Sequence, residues 1–201
     1  MSKTLTLLIG LLIVIAGILM FRNYSQHAPS SEPLPLATMP GNEKNSNWRE
    51  FISISGHFKV MLPVMPQHVS DRILDPNTKE LRKYETFIAA SDGGEAFMIS
   101  AITFTHSVEE EKGGDSLKAV INDVVARNKI NKLNAMSQGR LRTFQTFDFS
   151  ISSGDRQIEG KVFAKGSTVY LLSMINLSDR FNSHDFDTFV NSFEITSGKP
   201  Q

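Results

Sequence analysis

Gly113-Gly114-Asp115-Ser116-Leu117-Lys118-Ala119-Val120-Ile121-Asn122-Asp123-Val124-Val125 is the stretch that sets the fold class. Leu117, Val120, Ile121, Val124 and Val125 recur at i, i+3, i+4, i+7 and i+8, one apolar stripe of an α-helix. The glycine pair breaks whatever precedes it, and Asp115 or Ser116 is placed to cap the first turn. On either side of this helix the periodicity changes to two, so the stripe must lie on a β-sheet.

Upstream, Phe51-Ile52-Ser53-Ile54-Ser55, a break at Gly56, and then Phe58, Val60 and Leu62 read as an opening hairpin. Further strands are expected over Gln67–Leu74, Leu81–Ala90 and Ala96–Thr105, the last two joined by a Ser91-Asp92-Gly93-Gly94 turn, with all four pairing antiparallel. Downstream, strands are expected over Arg140–Ile151, Gln157–Ala164 and Thr168–Ile175, a three-strand meander whose second turn is Lys165-Gly166. Phe186, Phe189, Val190 and Phe193 share one face of a closing helix capped by Ser183. Strands, helix, strands, helix is α+β, an antiparallel β-sheet packed with helices over residues 48–197.

Two motifs frame this domain: Gly56-x-Phe58-x-Val60-x-x-Pro63-x-x-Pro66 at its start and Phe189-x-x-Ser192-Phe193 at its end. With them the domain resembles the PsbP-like superfamily, and the resemblance implies a PsbP-like sandwich, an antiparallel sheet between helices. It also implies a non-enzymatic module, since relatives include an extrinsic subunit of photosystem II, a Ran-binding nuclear import factor and an enterobacterial inner-membrane lipoprotein. No functional residue of that superfamily carries over to a position in this sequence.

Ahead of the domain, Leu5–Phe21 runs for 17 residues without charge or proline between Lys3 and Arg22. At 1.5 Å per residue it covers about 26 Å, close to a bilayer core, so residues 1–22 are expected to form one N-terminal transmembrane anchor. The following Arg-Asn-Tyr-Ser-Gln-His-Ala offers no good signal-peptidase site, which favours an uncleaved anchor over a signal peptide. Lys3 and the terminal amine before the helix lean toward a cytoplasmic N-terminus, which places the domain on the extracytoplasmic side of a cell (inner) membrane. Residues 23–47 hold Pro29, Pro33, Pro35 and Pro40 and no amphipathic period, and read as a flexible linker.

Composition narrows the chemistry. Lys and Arg number 21 and so do Asp and Glu, so no overall field draws the chain to nucleic acid. Cysteine is absent, which removes thiolate nucleophiles, disulfides and Cys-ligated metals. His27, His57, His68, His106 and His184 lack metal-ligand spacing, and no serine stands in a nucleophile elbow. Asp185 and Asp187 diverge around their helix and read as first-turn acids. Gly93-Gly94 and Gly113-Gly114 lack a phosphate-cradle fingerprint and read as turns. Asn23-Tyr24-Ser25 and Asn176-Leu177-Ser178 fit the glycan acceptor pattern.

One asymmetry stands out. Glu109, Glu110, Glu111 and Asp115 precede the helix, whereas Arg127, Lys129, Lys132, Arg140 and Arg142 fall in a stretch from Val124 to Phe147 without an acid. The helix macrodipole favours this arrangement, and a docking patch for anionic lipid, polysaccharide or an acidic partner is the functional alternative. The expectation is a membrane-anchored, non-catalytic binding or scaffolding module of a cell-envelope complex, with a protein partner, no nucleic acid, no cofactor and no metal. The alternative is a carrier or sensor of a small lipid-like or apolar ligand held between sheet and helix.

Overall fold

The computed structural model describes residues 48–74, 79–91, 94–109 and 114–196. These belong to one compact unit, Asn47–Gln201. The expected anchor over residues 5–21 and the linker over 23–47 lie outside the described residues, and no described helix is long and apolar enough to cross a membrane.

In chain order the elements are β1 (Arg49–Ser53), β2 (Phe58–Leu62), β3 (Gln67–Leu74), β4 (Leu81–Ala90), β5 (Ala96–Thr103), α1 (Asp115–Ala126), β6 (Asn131–Leu141), β7 (Phe144–Ser153), β8 (Arg156–Lys165), β9 (Thr168–Leu177), a 3-10 turn (Ser178–Arg180), α2 (Ser183–Ser192) and β10 (Glu194–Ile195). The fold is α+β. A seven-stranded sheet runs β3-β4-β5-β9-β8-β7-β6 and a three-stranded sheet runs β1-β2-β10, every neighbour antiparallel.

The opening hairpin does not continue into β3. Pro63 and Pro66 lack the amide donors a ladder needs, and across them the chain passes from the small sheet to the large one. The expected strand Arg140–Ile151 is in fact parts of two strands, and the meander has four. β6 turns into β7 at Arg142-Thr143, where Arg142 adopts a positive φ of 54° without the glycine or asparagine that advertises such a turn. Both helix starts lie one residue before the expected caps. Gly114 (φ 64°) is the N-cap of α1, and the Asn182 side chain, accepting from the His184 amide at 3.1 Å, caps α2.

The large sheet is covered on both faces, which is why β5 and β9 at its centre are apolar at most positions. One face packs Phe87, Phe97, Ile99, Leu172 and Met174 against the small sheet and α2, with Phe58, Phe189 and Phe193 at the middle. The other face packs Phe149, Ile151, Val162 and Leu171 against Leu117, Val120 and Ile121 of α1, with Val124 and Val125 partly buried. The stripe that sets the fold class lies on the sheet as its spacing requires.

The two framing motifs meet in space. Phe58 and Phe193 stack at 5.2 Å, the Ser192 hydroxyl accepts from the Met61 amide at 2.9 Å, and Ile195 pairs with Phe58. Tyr170 on β9 donates to the Gly56 carbonyl at 3.2 Å. These residues fasten the small sheet and α2 to the large sheet, so their part is to hold the fold.

Candidate functional site

Three places in the domain concentrate polar or exposed chemistry. The first is Glu85. On β4 the inward phase runs Lys83, Glu85, Phe87, Ala89, so the pattern that buries Phe87 also carries a carboxylate inward. Glu85 is 4 % exposed. Its oxygens accept from Lys83 Nζ at 2.6 Å and Ser70 Oγ at 3.1 Å, and from Ser55 Oγ, in the β1–β2 turn, at 3.4 Å. His68 Nε2 also meets it, and the imidazole lies flat on Phe87 with ring centres 4.4 Å apart. Burial pushes the Glu85 carboxyl up, but the hydrogen bonds from Lys83, His68 and Ser70 outweigh it and hold the group below the usual carboxylate range. The cluster joins the small sheet's turn to β3 and β4. Every donor in it is aimed at the one carboxylate.

The second place is a cleft of about 730 Å³ beside the start of α1 and the β6–β7 hairpin, lined in part by Gly114, Leu117, Gln138, Arg140, Thr146 and Phe147. Its lining mixes amides, hydroxyls, one guanidinium and the Glu109 carboxylate with apolar side chains, which suits an occupant with polar groups better than a purely apolar one.

The third is the basic stretch. The structure groups Arg127 at the C-cap of α1, Lys129 in the turn that follows, and Lys132 at the start of β6. Arg140 is eight residues farther along β6, about 27 Å away at strand rise. A register shift between Leu133 and Ala135 reverses the phase, so Lys132 pairs with Ser152 and Arg140 with Gln145 on opposite faces. Arg142 is engaged elsewhere, with Glu194 at 3.1 Å and the Asn191 carbonyl at 3.0 Å. The macrodipole accounts for Arg127 only, since the last turn of α1 holds no basic residue and Lys129 and Lys132 lie beyond the helix.

The remaining candidates are placed as follows. His57 sits in the β1–β2 turn (φ 55°), His106 Nδ1 meets Glu80 at 3.1 Å, His184 opens α2, and His27 lies outside the described residues. Among the described residues no three metal-binding side chains come together. Asp185 accepts from Asn182 Nδ2 at 2.6 Å at the start of α2. Asn176 is buried, its amide engaged with the Arg180 carbonyl and the Leu177 N–H, so it is closed to a glycan in the folded chain. Sequence reading missed Glu85 and its partners; the signal available was a carboxylate in phase with Phe87 and Ala89 on β4.

The two edges of the large sheet differ. β6 carries the bulge and Lys132, devices that discourage pairing with another chain. β3 is exposed at nearly every residue and pairs with β4 without interruption, holding neither proline nor lysine. Its guards are Asp71, whose carboxylate takes the Arg72 amide at 2.7 Å, and the exposed Arg72 side chain.

No family model matches the chain, and no curated protein matches it. Among solved structures, a crystal structure at 1.50 Å from Bacteroides thetaiotaomicron VPI-5482 is 13 % identical, with a TM-score of 0.45, over 75 % of this chain and 49 % of that one. The chain thus spans about half the length of the solved chain it matches.

Proposed function

We propose that this chain is a membrane-anchored, non-catalytic binding module of a cell-envelope complex, built on the PsbP-like plan, and that it takes a protein partner as an added strand along β3. The reading is carried by the contrast between the edges: one is bulged and cationic, the other long, regular and exposed. The sheet between covering layers supports the PsbP-like plan, and the mutual engagement of the Glu85 donors supports a holding role for that cluster. A carrier of an apolar ligand has less support, because the cleft's walls carry polar and charged groups.

Photo-crosslinking from position 73 on β3 in the full-length membrane protein tests this. The adduct is expected at β3 and is expected to disappear in Val69→Lys, which places a charge on the edge strand while β4 still pairs behind it. Undiminished capture by Val69→Lys would refute the edge-strand reading. Release of the chain by alkaline carbonate would separately refute the anchor.

A further inference from the structure

The corner where α1 ends and β6 begins combines charge with exposed aliphatic side chains. Ile130 is 54 % exposed, and Leu133 and Met136 are each 37 % exposed. Ile130 reaches the β7–β8 turn at Gly154, so the apolar tip projects where two turns meet. Leu133 pairs with Ile151 and Met136 with Phe149, which puts both on the α1 side of the edge strand. Around them stand Arg127, Lys129 and Lys132, with Arg156 across the turn. The acids nearby are Asp123 on α1 and Asp155 in the turn. Among the described residues Lys129 and Lys132 make no ion pair, and both side chains are exposed.

We infer that this corner docks on an anionic lipid surface, with Ile130, Leu133 and Met136 entering the headgroup boundary and Arg127, Lys129 and Lys132 on the phosphates. The inference rests on the membrane-proximal reading above for its setting. The composition distinguishes a bilayer from an acidic protein. Protein interfaces are depleted in lysine, whereas this corner sets two lysines beside exposed aliphatic side chains. Long cationic side chains beside aliphatic ones are what an interface between headgroup and acyl chain accepts, the stems lying along the apolar layer and the heads in the phosphate layer. The bulge serves the same arrangement: it brings Met136 to the face that Leu133 occupies while Lys132 stands on the other, so the edge itself, not either sheet face, meets the surface.

The chain has no cysteine, so Ile130→Cys takes a single environment-sensitive fluorophore. The labelled full-length protein is placed in vesicles of phosphatidylcholine alone and of phosphatidylcholine with phosphatidylglycerol, each with and without a lipid-borne quencher. Quenching is expected at position 130 in the anionic vesicles, weakened by salt and largely absent in the neutral ones. A label on Val69→Cys, at the other edge, is expected to stay in water. Lys129→Gln is expected to lower the docked-to-undocked ratio about five-fold, the fold-change of roughly 1 kcal/mol per basic residue near an anionic surface. Joint reversal of Arg127, Lys129 and Lys132 is expected to abolish quenching while circular dichroism and thermal unfolding stay unchanged. A water-exposed label in anionic vesicles, equal quenching in both compositions, or shielding that appears only when a membrane protein extract is added would each overturn the proposal. The anchor is read separately: a chain released by carbonate whose label is still quenched on anionic vesicles loses only the anchor, and a carbonate-resistant chain with a water-exposed label loses only this inference.

Discussion

Replacing Glu85 with glutamine should expose how the small sheet's turn is held to β3 and β4. The side chains are nearly isosteric, so packing against Phe87 is kept and the difference is charge and one acceptor. Lys83 at 2.6 Å and His68 lose their anionic partner, and the new amide nitrogen must face a donor on one side or the other. A hydrogen bond to a charged group contributes about 1.5–3 kcal/mol. Lys83 and His68 are each 40 % exposed and recover part of their hydration, so the expected loss is about 2 kcal/mol at pH 7 and not the sum over all partners. For a domain of this size that is about 4–8 °C in Tm. The pH dependence has a definite sign. The folded carboxyl lies below its ordinary value of 4.5, so its contribution is complete above that value and is lost as the pH falls through the depressed one. Urea unfolding of wild type and Glu85→Gln should therefore differ at pH 7 and converge in acid. Equal midpoints at pH 7, or a gap that is the same at pH 7 and pH 3, would refute the account.

Three further outcomes are expected. A fragment beginning at Asn47 should fold alone, with one cooperative thermal transition and a mixed helix and strand spectrum, because both faces of its sheet are covered by its own elements. Gly160→Ala should cost about 1–3 kcal/mol in urea, because the added methyl overlaps the Phe149 ring and lies 2.9 Å from the Leu172 carbonyl, which is backbone and cannot turn aside. Burial pushes the Tyr170 phenol up to about 12, so its part in stability is present through neutral pH and lost only as pH rises through that value; tyrosinate absorbance from it should appear with unfolding, and Tyr170→Phe should cost about 1 kcal/mol by removing the bond to Gly56.

What was legible in the sequence followed burial. β4, β8 and β9 alternate or run apolar because layers press on them, and their spans are close to those the pattern predicts. β6 has solvent on nearly every residue, so no alternation marks it, and Arg142-Thr143 carries no turn signature; the two together read as one strand where there are two. β10, at two residues, is held by its register with Phe58 and Lys59 and has no local signal at all. The Glu85 cluster draws Ser55, His68, Ser70 and Lys83 from three segments, and only the fold assembles it. The basic stretch shows the reverse: five cations close in sequence are divided by an extended strand, because 11 residues at strand rise cover about 37 Å where a helix would cover about 17 Å.

The two working surfaces proposed for this domain are at opposite edges of one sheet, and that placement has a mechanical consequence. From β6 to β3 there are six strand spacings, about 29 Å at 4.8 Å each. If the β6 corner lies on lipid, β3 points away from the bilayer, beyond the roughly 8 Å over which surface charge acts at physiological salt. A partner strand could then add at β3 without competing with headgroups for Arg72 or Lys83. Charge reversal at the corner would remove the orientation that lipid contact imposes, and an edge held in no fixed orientation presents itself to the partner less often but with the same contacts. The reversal should therefore slow partner capture while leaving the lifetime of the captured complex unchanged, whereas Val69→Lys should shorten that lifetime. Rates measured in vesicles holding each variant separately would distinguish the two surfaces; a reversal that shortened the lifetime would mean that lipid and partner share one face.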